Sequence, residues 1–167
     1  MGADVGLLLH RIDDRLIHGQ VVVGWGQPLG LRFIVLVDDD VAASDWEQEL
    51  YRMGVPPDVE VHFLSVIDAS TRIAAFHADP RPGILLVNSV DTMQRLIAAA
   101  PAIRTVNLGG VHHADGRTQR LRYVFLTPQE EQQLRALEQS GVDITAQDVP
   151  GARPIPLQDV LAGRGDG

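Results

Sequence analysis

Short apolar runs alternate with longer, helix-like stretches along this chain, and that alternation restricts the fold more than any other feature. Residues 5–10, 33–37, 59–64, 83–87, 103–108, 121–126 and 142–145 read as buried-type strands. Helical stretches separate most of them: 41–53, 66–77, 90–100 and 128–139, the last with Pro128 at its first turn. A weaker helix is expected to start at 20–30, where Gly24, Gly26 and Pro28 interrupt it. Strands joined through helices must run parallel, because a crossover returns the chain to the same end of the sheet. The expected architecture is therefore three-layer α/β/α, doubly wound, with a mostly parallel central sheet of six or seven strands. In such sheets function collects in the loops at the carboxyl ends of the strands. Three loops stand out there: 11–19, 38–40 and 109–116.

Composition excludes several classes. The 167 residues suit one domain, expected over 1–162, with a Gly-rich tail at 163–167 expected to be disordered. There is no cysteine, hence no disulfide framework, thiolate metal site or cysteine nucleophile. The formal charge of −8 argues against nucleic acid as a partner. All 14 basic residues are arginine, so neither a Schiff-base lysine nor a phosphate-loop lysine is available. No apolar run approaches the ~20 residues needed to span a bilayer, and the amino terminus does not read as a signal peptide. A cytoplasmic protein is expected.

The segment Arg11-Ile-Asp-Asp-Arg-Leu-Ile-His-Gly-Gln20 is the densest in chemistry. A neutral imidazole nitrogen is nucleophilic near neutral pH, which makes His18 a candidate phosphoryl acceptor. Phosphoryl transfer asks the protein mainly for positioning and positive charge, and Arg15 offers a planar fork of donors. The start of a helix just after His18 adds orphan N–H groups. The carboxylates need a separate role, since they repel a phosphoryl group. Asp14 can pair with Arg15 or Arg11, or hold an imidazole N–H, and Asp13 can cap a turn. Read without any relative, the same loop is equally a solvated, salt-bridged turn.

This ten-residue run, followed by Val21, Val22 and Trp25, resembles the signature of the mannose/fructose/sorbose-type enzyme IIB of the bacterial phosphotransferase system. Residues 34–42 resemble the second strand and acidic loop of that family, 55–59 fall where it has a Pro-Pro-Gly turn, Asn107-Leu-Gly-Gly110 resembles its Asn-Val-Gly-Gly loop, and 141–150 resemble its terminal strand. The resemblance implies strand order 3-2-4-1-5-6. It also implies an activity: His18 receives phosphate from a phosphohistidine of a IIA protein and passes it to a sugar delivered by the membrane components IIC and IID, which recruit the protein to the inner face of the membrane. It places catalysis on His18, Arg15 and Asp14, with phosphate on Nδ1. Contacts to substrate or partners fall to Arg11, Asp13, Gln20, Ser89, Gly109 and Gly110. No metal and no cofactor are implied, and the sugar and any homo-oligomer stay open. Departures from the pattern are Val23 near a usual Thr, Val87-Asn-Ser-Val90 in place of a Lys-Asn-Pro-like stretch, and Val111 in place of Met.

Other features have plainer readings. His112 and His113 fit partner contact or ordinary surface better than a metal site, since no third ligand is evident. Asp38–Asp40 fit capping of the following helix better than a Mg²⁺ site. His10, Trp25, Trp46 and Phe33 read as structural residues, with Trp25 close enough in sequence to line the site. A regulatory phosphocarrier, not coupled to sugar uptake, is the alternative function. A nucleotide-binding module lacks G-x-G-x-x-G after the first strand, and a serine hydrolase lacks G-x-S-x-G.

Overall fold

The computed structural model describes residues 5–164. Its strands are β1 (Gly6–Ile12), β2 (Phe33–Val37), β3 (Glu60–Leu64), β4 (Pro82–Val87), β5 (Thr105–Leu108), β6 (Thr118–Leu121), β7 (Val124–Leu126), β8 (Asp143–Ala146) and β9 (Ile155–Pro156). Its α-helices are α1 (Gln27–Leu29), α2 (Asp39–Ala42), α3 (Asp45–Met53), α4 (Val66–His77), α5 (Val90–Ala99), α6 (Pro128–Gln139) and α7 (Leu157–Leu161), and a π-helical segment, Gln20–Gly26, runs directly into α1. The central sheet has seven strands in the order β3-β2-β4-β1-β5-β8-β9. All its pairings are parallel except β8 with β9. Counted within this sheet, the first six strands follow the expected 3-2-4-1-5-6.

Side chains alternate across the sheet and build two cores. Phe33, Val35, Val37, Leu85, Val87, Ile12, Val106, Leu108, Ile144 and Ala146 join the apolar faces of α4, α5, α6 and α7. Ile34, Leu36, Ile84 and Leu86 meet Val21, Val41 and the loop residues Leu16 and Ile17 on the other face. Capping fixes where the helices begin. Ser65 accepts from the Asp68 amide, and Thr127 and Glu130 form a reciprocal capping box at α6.

Three expectations need correction. Residues 121–126 are not one strand of the central sheet. They are split by a turn at Arg122–Tyr123 between β6 and β7, which form a separate antiparallel pair, and β8 takes the place beside β5. The helix expected over 41–53 is two, because Ser44 turns extended and caps α3 through the Glu47 amide, while Asp38 caps α2. β1 continues through Arg11 and Ile12, so Arg11 belongs to a strand and not to the loop. Of the expected tail, Gly163 and Arg164 still hydrogen-bond back to α7, and 165–167 lie outside the described residues. Among the described residues, no helix is long and apolar enough to cross a membrane.

Candidate active site

The chain leaves the end of β1 toward one face of the sheet, into the π-helical segment. It leaves β4, the neighbour of β1, toward the other face, into α5. Loops that part in this way open a crevice at the carboxyl ends of the strands. The segment 13–19 fills that crevice, beside the loop that follows β5.

Beneath it lies Arg11, 1% exposed. A buried guanidinium needs partners, because desolvating an unpaired charge costs several kcal/mol; here both terminal nitrogens have them and Nε, also buried, has none. Arg11 Nη1 donates to Asn107 Oδ1 and to the Gln147 carbonyl (2.8 Å), and Nη2 donates to the Asp148 carbonyl (3.3 Å) and Asp13 Oδ2 (3.4 Å). The indole of Trp25 lies 4.7 Å from the guanidinium carbon and donates its own N–H to the Asp148 carbonyl. Gly109 closes the fourth side, where a Cβ would overlap the guanidinium. Burial lowers the Arg11 pKa, against the opposing pull of Asp13, but leaves an arginine charged.

Asp13 is fully buried, and it passes the charge of Arg11 upward. Its Oδ1 accepts from the Arg15 amide (3.2 Å), lies 3.6 Å from Arg15 Nε and 3.3 Å from His18 Nε2. Burial raises the Asp13 pKa, but the contact with His18, the Arg11 guanidinium and the Arg15 amide outweigh it and hold the carboxyl below its usual range. The approach of His18 is off the line of a well-formed hydrogen bond, and its Nε2 is buried. With the side chain 16% exposed, the exposure belongs to its other atoms.

The turn that arranges this is strained. Leu16 takes φ 56°, a left-handed conformation that costs a non-glycine residue about 1–2 kcal/mol. Burial of Leu16 and Ile17 in the core below offsets it and pins the loop. His18 is thereby held at the rim, immediately before the π-helical segment. Such segments gather at functional sites.

The two aspartates divide the work differently from the sequence expectation. Asp14 holds an imidazole, but it is that of His112: Asp14 accepts from the His112 amide (2.7 Å) and lies 2.7 Å from His112 Nδ1. The carboxylate beside His18 is Asp13. Arg15 is 42% exposed on the same rim, and Gly110 lies beneath it. Gln20 begins the π-helical segment. Ser89 stands at the end of β4, but its hydroxyl caps α5, accepting from the Thr92 amide and donating to Thr92 Oγ1. Gln147 carried no expectation from the sequence, Asn107 was expected only as part of the Asn-Leu-Gly-Gly loop, and His112 only as a partner contact or ordinary surface beside the histidine loop. Asn107 carried a signal: a lone amide between Val106 and Leu108 on a buried strand requires a polar partner on the opposite face.

A sequence-family profile described as "PTS system sorbose subfamily IIB component" matches residues 7–166. The chain belongs to this family. The enzyme IIB component 1 of an N-acetylgalactosamine-specific phosphotransferase of Escherichia coli is 32% identical over 92% of this chain and 97% of its own length. The mannose-specific EIIAB component of the same organism is 30% identical over 92% of this chain, but the match covers only 48% of that protein. Among solved structures, manxB of Thermoanaerobacter tengcongensis superposes with a TM-score of 0.83 at 30% identity, over 96% of this chain and 98% of that one. As a sorbose-type IIB component, the chain is a phosphotransferase-system protein with the fold of its solved relatives.

Proposed function

We propose that this IIB component carries a phosphoryl group on Nδ1 of His18, accepting it from a phosphohistidine of a IIA partner and passing it to a sugar at the membrane components IIC and IID. The observation that carries the reading is the orientation of one ring: Nε2 is buried against Asp13, so Nδ1 is the nitrogen left to react. Asp13 favours a proton on Nε2, which keeps the Nδ1 lone pair available. As the N–P bond to Nδ1 forms, the bond to the donor imidazole breaks and its electron pair returns to the donor. The phosphorylated ring keeps its Nε2 proton and carries a positive charge opposite Asp13. In the second step a sugar hydroxyl oxygen forms the P–O bond, the N–P electrons return to Nδ1, and the hydroxyl proton leaves to solvent. Arg15, on the rim, is placed to neutralise the three peripheral oxygens of the loose transition state.

A rim position suits a group that must meet a protein donor and a membrane-bound acceptor in turn. The fusion named EIIAB among the relatives favours a IIA donor. Incubation with phosphorylated IIA is expected to give an acid-labile, alkali-stable adduct on the wild-type chain and none on His18→Ala. Equal labelling of that variant overturns the proposal.

A further inference from the structure

His112 is half exposed, yet it is held at three points. Its amide and its Nδ1 both meet the Asp14 carboxylate, and its carbonyl accepts from Arg117 Nη1 at 2.8 Å. Arg117 is fixed in turn by Glu130, through contacts of 3.1 and 2.8 Å. An ordinary surface histidine is not restrained in this way, because ordering an exposed ring costs entropy that nothing repays. The location is equally specific. The point where a Cβ of Gly110 would stand lies 3.0 Å from His112 Cε1, 3.5 Å from Asp13 Oδ1 and 3.6 Å from Arg15 Nη2. Glycine at this position leaves open the space around which those three groups converge, and that Asp13 oxygen is the one His18 Nε2 approaches. Asp14, facing Nδ1, fixes the tautomer, so Nε2 is the nitrogen His112 presents to a ligand.

The charge balance gives that nitrogen a task. Asp13 is matched by buried Arg11, whereas Asp14, at the same rim, would repel an arriving phosphoryl group unless a cation offsets it. Taking the phosphocarrier reading above as its basis, we propose that His112 is a second phosphate-binding residue of the site. In its protonated form it neutralises Asp14 and donates Nε2–H to a phosphoryl oxygen on His18. The groups facing it are Asp14 from the histidine loop, Arg15 and Asp13 across Gly110, and Arg117 with Glu130 behind.

The test uses the full chain and phosphoramidate, a small-molecule phosphoryl donor, so that no partner protein intervenes. The expected result has two parts: label on His18, and a hydrogen-bonded Nε2–H resonance of His112 that appears in ¹⁵N-edited spectra only after labelling. His112→Asn keeps a donor where Nδ1 stood, so Asp14 remains held, but it has nothing in place of Nε2. It is expected to keep its thermal midpoint and to load roughly tenfold less. If wild-type His18 labels while the His112 resonance is unchanged, or if His112→Asn loads as well as the wild type, the inference fails and the phosphocarrier reading stands. If wild-type His18 does not label, both fall.

Discussion

Two faces of the same three strands tell opposite stories. Toward α4, α5 and α6, the strands β1, β5 and β8 present Ile12, Val106, Leu108, Ile144 and Ala146, an apolar layer held by burial alone. Toward the π-helical segment they present Arg11 and Asn107, and Gln147 follows at the end of β8. There a guanidinium is bound by a side-chain amide, main-chain carbonyls, a carboxylate and an indole. Adjacent residues of β1 sharpen the contrast. His10, on the apolar face, is buried and kept neutral, while Arg11, on the other, is buried and charged. The difference teaches where this fold invests its stability: one face supplies it, and the other uses part of it to hold Asp13 and His18 in place.

The largest effect is expected from breaking the charged face. Arg11→Met leaves Asp13 buried without its cation and should cost about 3–5 kcal/mol in urea unfolding. Adding Asp13→Asn to that variant should recover much of the loss, yet leave labelling of His18 impaired. If Arg11→Met unfolds like the wild type, the guanidinium does not organise this face.

The apolar face has its own polar exception, and it gives the next effect. Burial first, and then the charge of His77, push the pKa of His10 from 6.5 down to about 4, against the bond to the Thr105 carbonyl. The unfolded chain thus binds a proton that the folded chain resists. Stability is complete above pH 6.5 and is lost as pH falls from 6.5 toward 4, by a few kcal/mol. His77, also lowered by burial, acts in the same direction. Denaturant midpoints of His10→Gln between these pH values should be flatter than those of the wild type. A wild-type midpoint independent of pH in that window contradicts the neutral, buried state of His10.

Gly109→Ala gives the smallest of the three. Its Cβ meets the Arg11 guanidinium, and relief of that overlap should cost about 1–3 kcal/mol. The same change at Gly151, where a Cβ has open space, should leave thermal stability nearly unchanged.

What the sequence disclosed follows the same division. The apolar face was legible because burial leaves a periodic trace: α4 and α6 lie at their expected bounds, each opened by a side-chain cap. The histidine loop was found by its composition and its likeness to the family. Its internal pairing was not legible, since Asp13 and Asp14 are adjacent and chemically alike, and only the left-handed turn at Leu16 decides which faces His18. The nearness of His112 to the histidine loop was legible, since the expected strand order already set β5 beside β1, but its pairing with Asp14 was not. The strand expected at 121–126 failed for a related reason: apolar residues on both sides of Arg122–Tyr123 suit a hairpin as well as one continuous strand.

The central claim is that the sheet aims a single nitrogen outward. The most direct measurement is ³¹P and ¹⁵N NMR of the chain after phosphorylation by IIA, which identifies the histidine and the ring atom bonded to phosphorus. Phosphate on Nδ1 of His18 is the expected result. Phosphate on Nε2, or on any other histidine, contradicts the account.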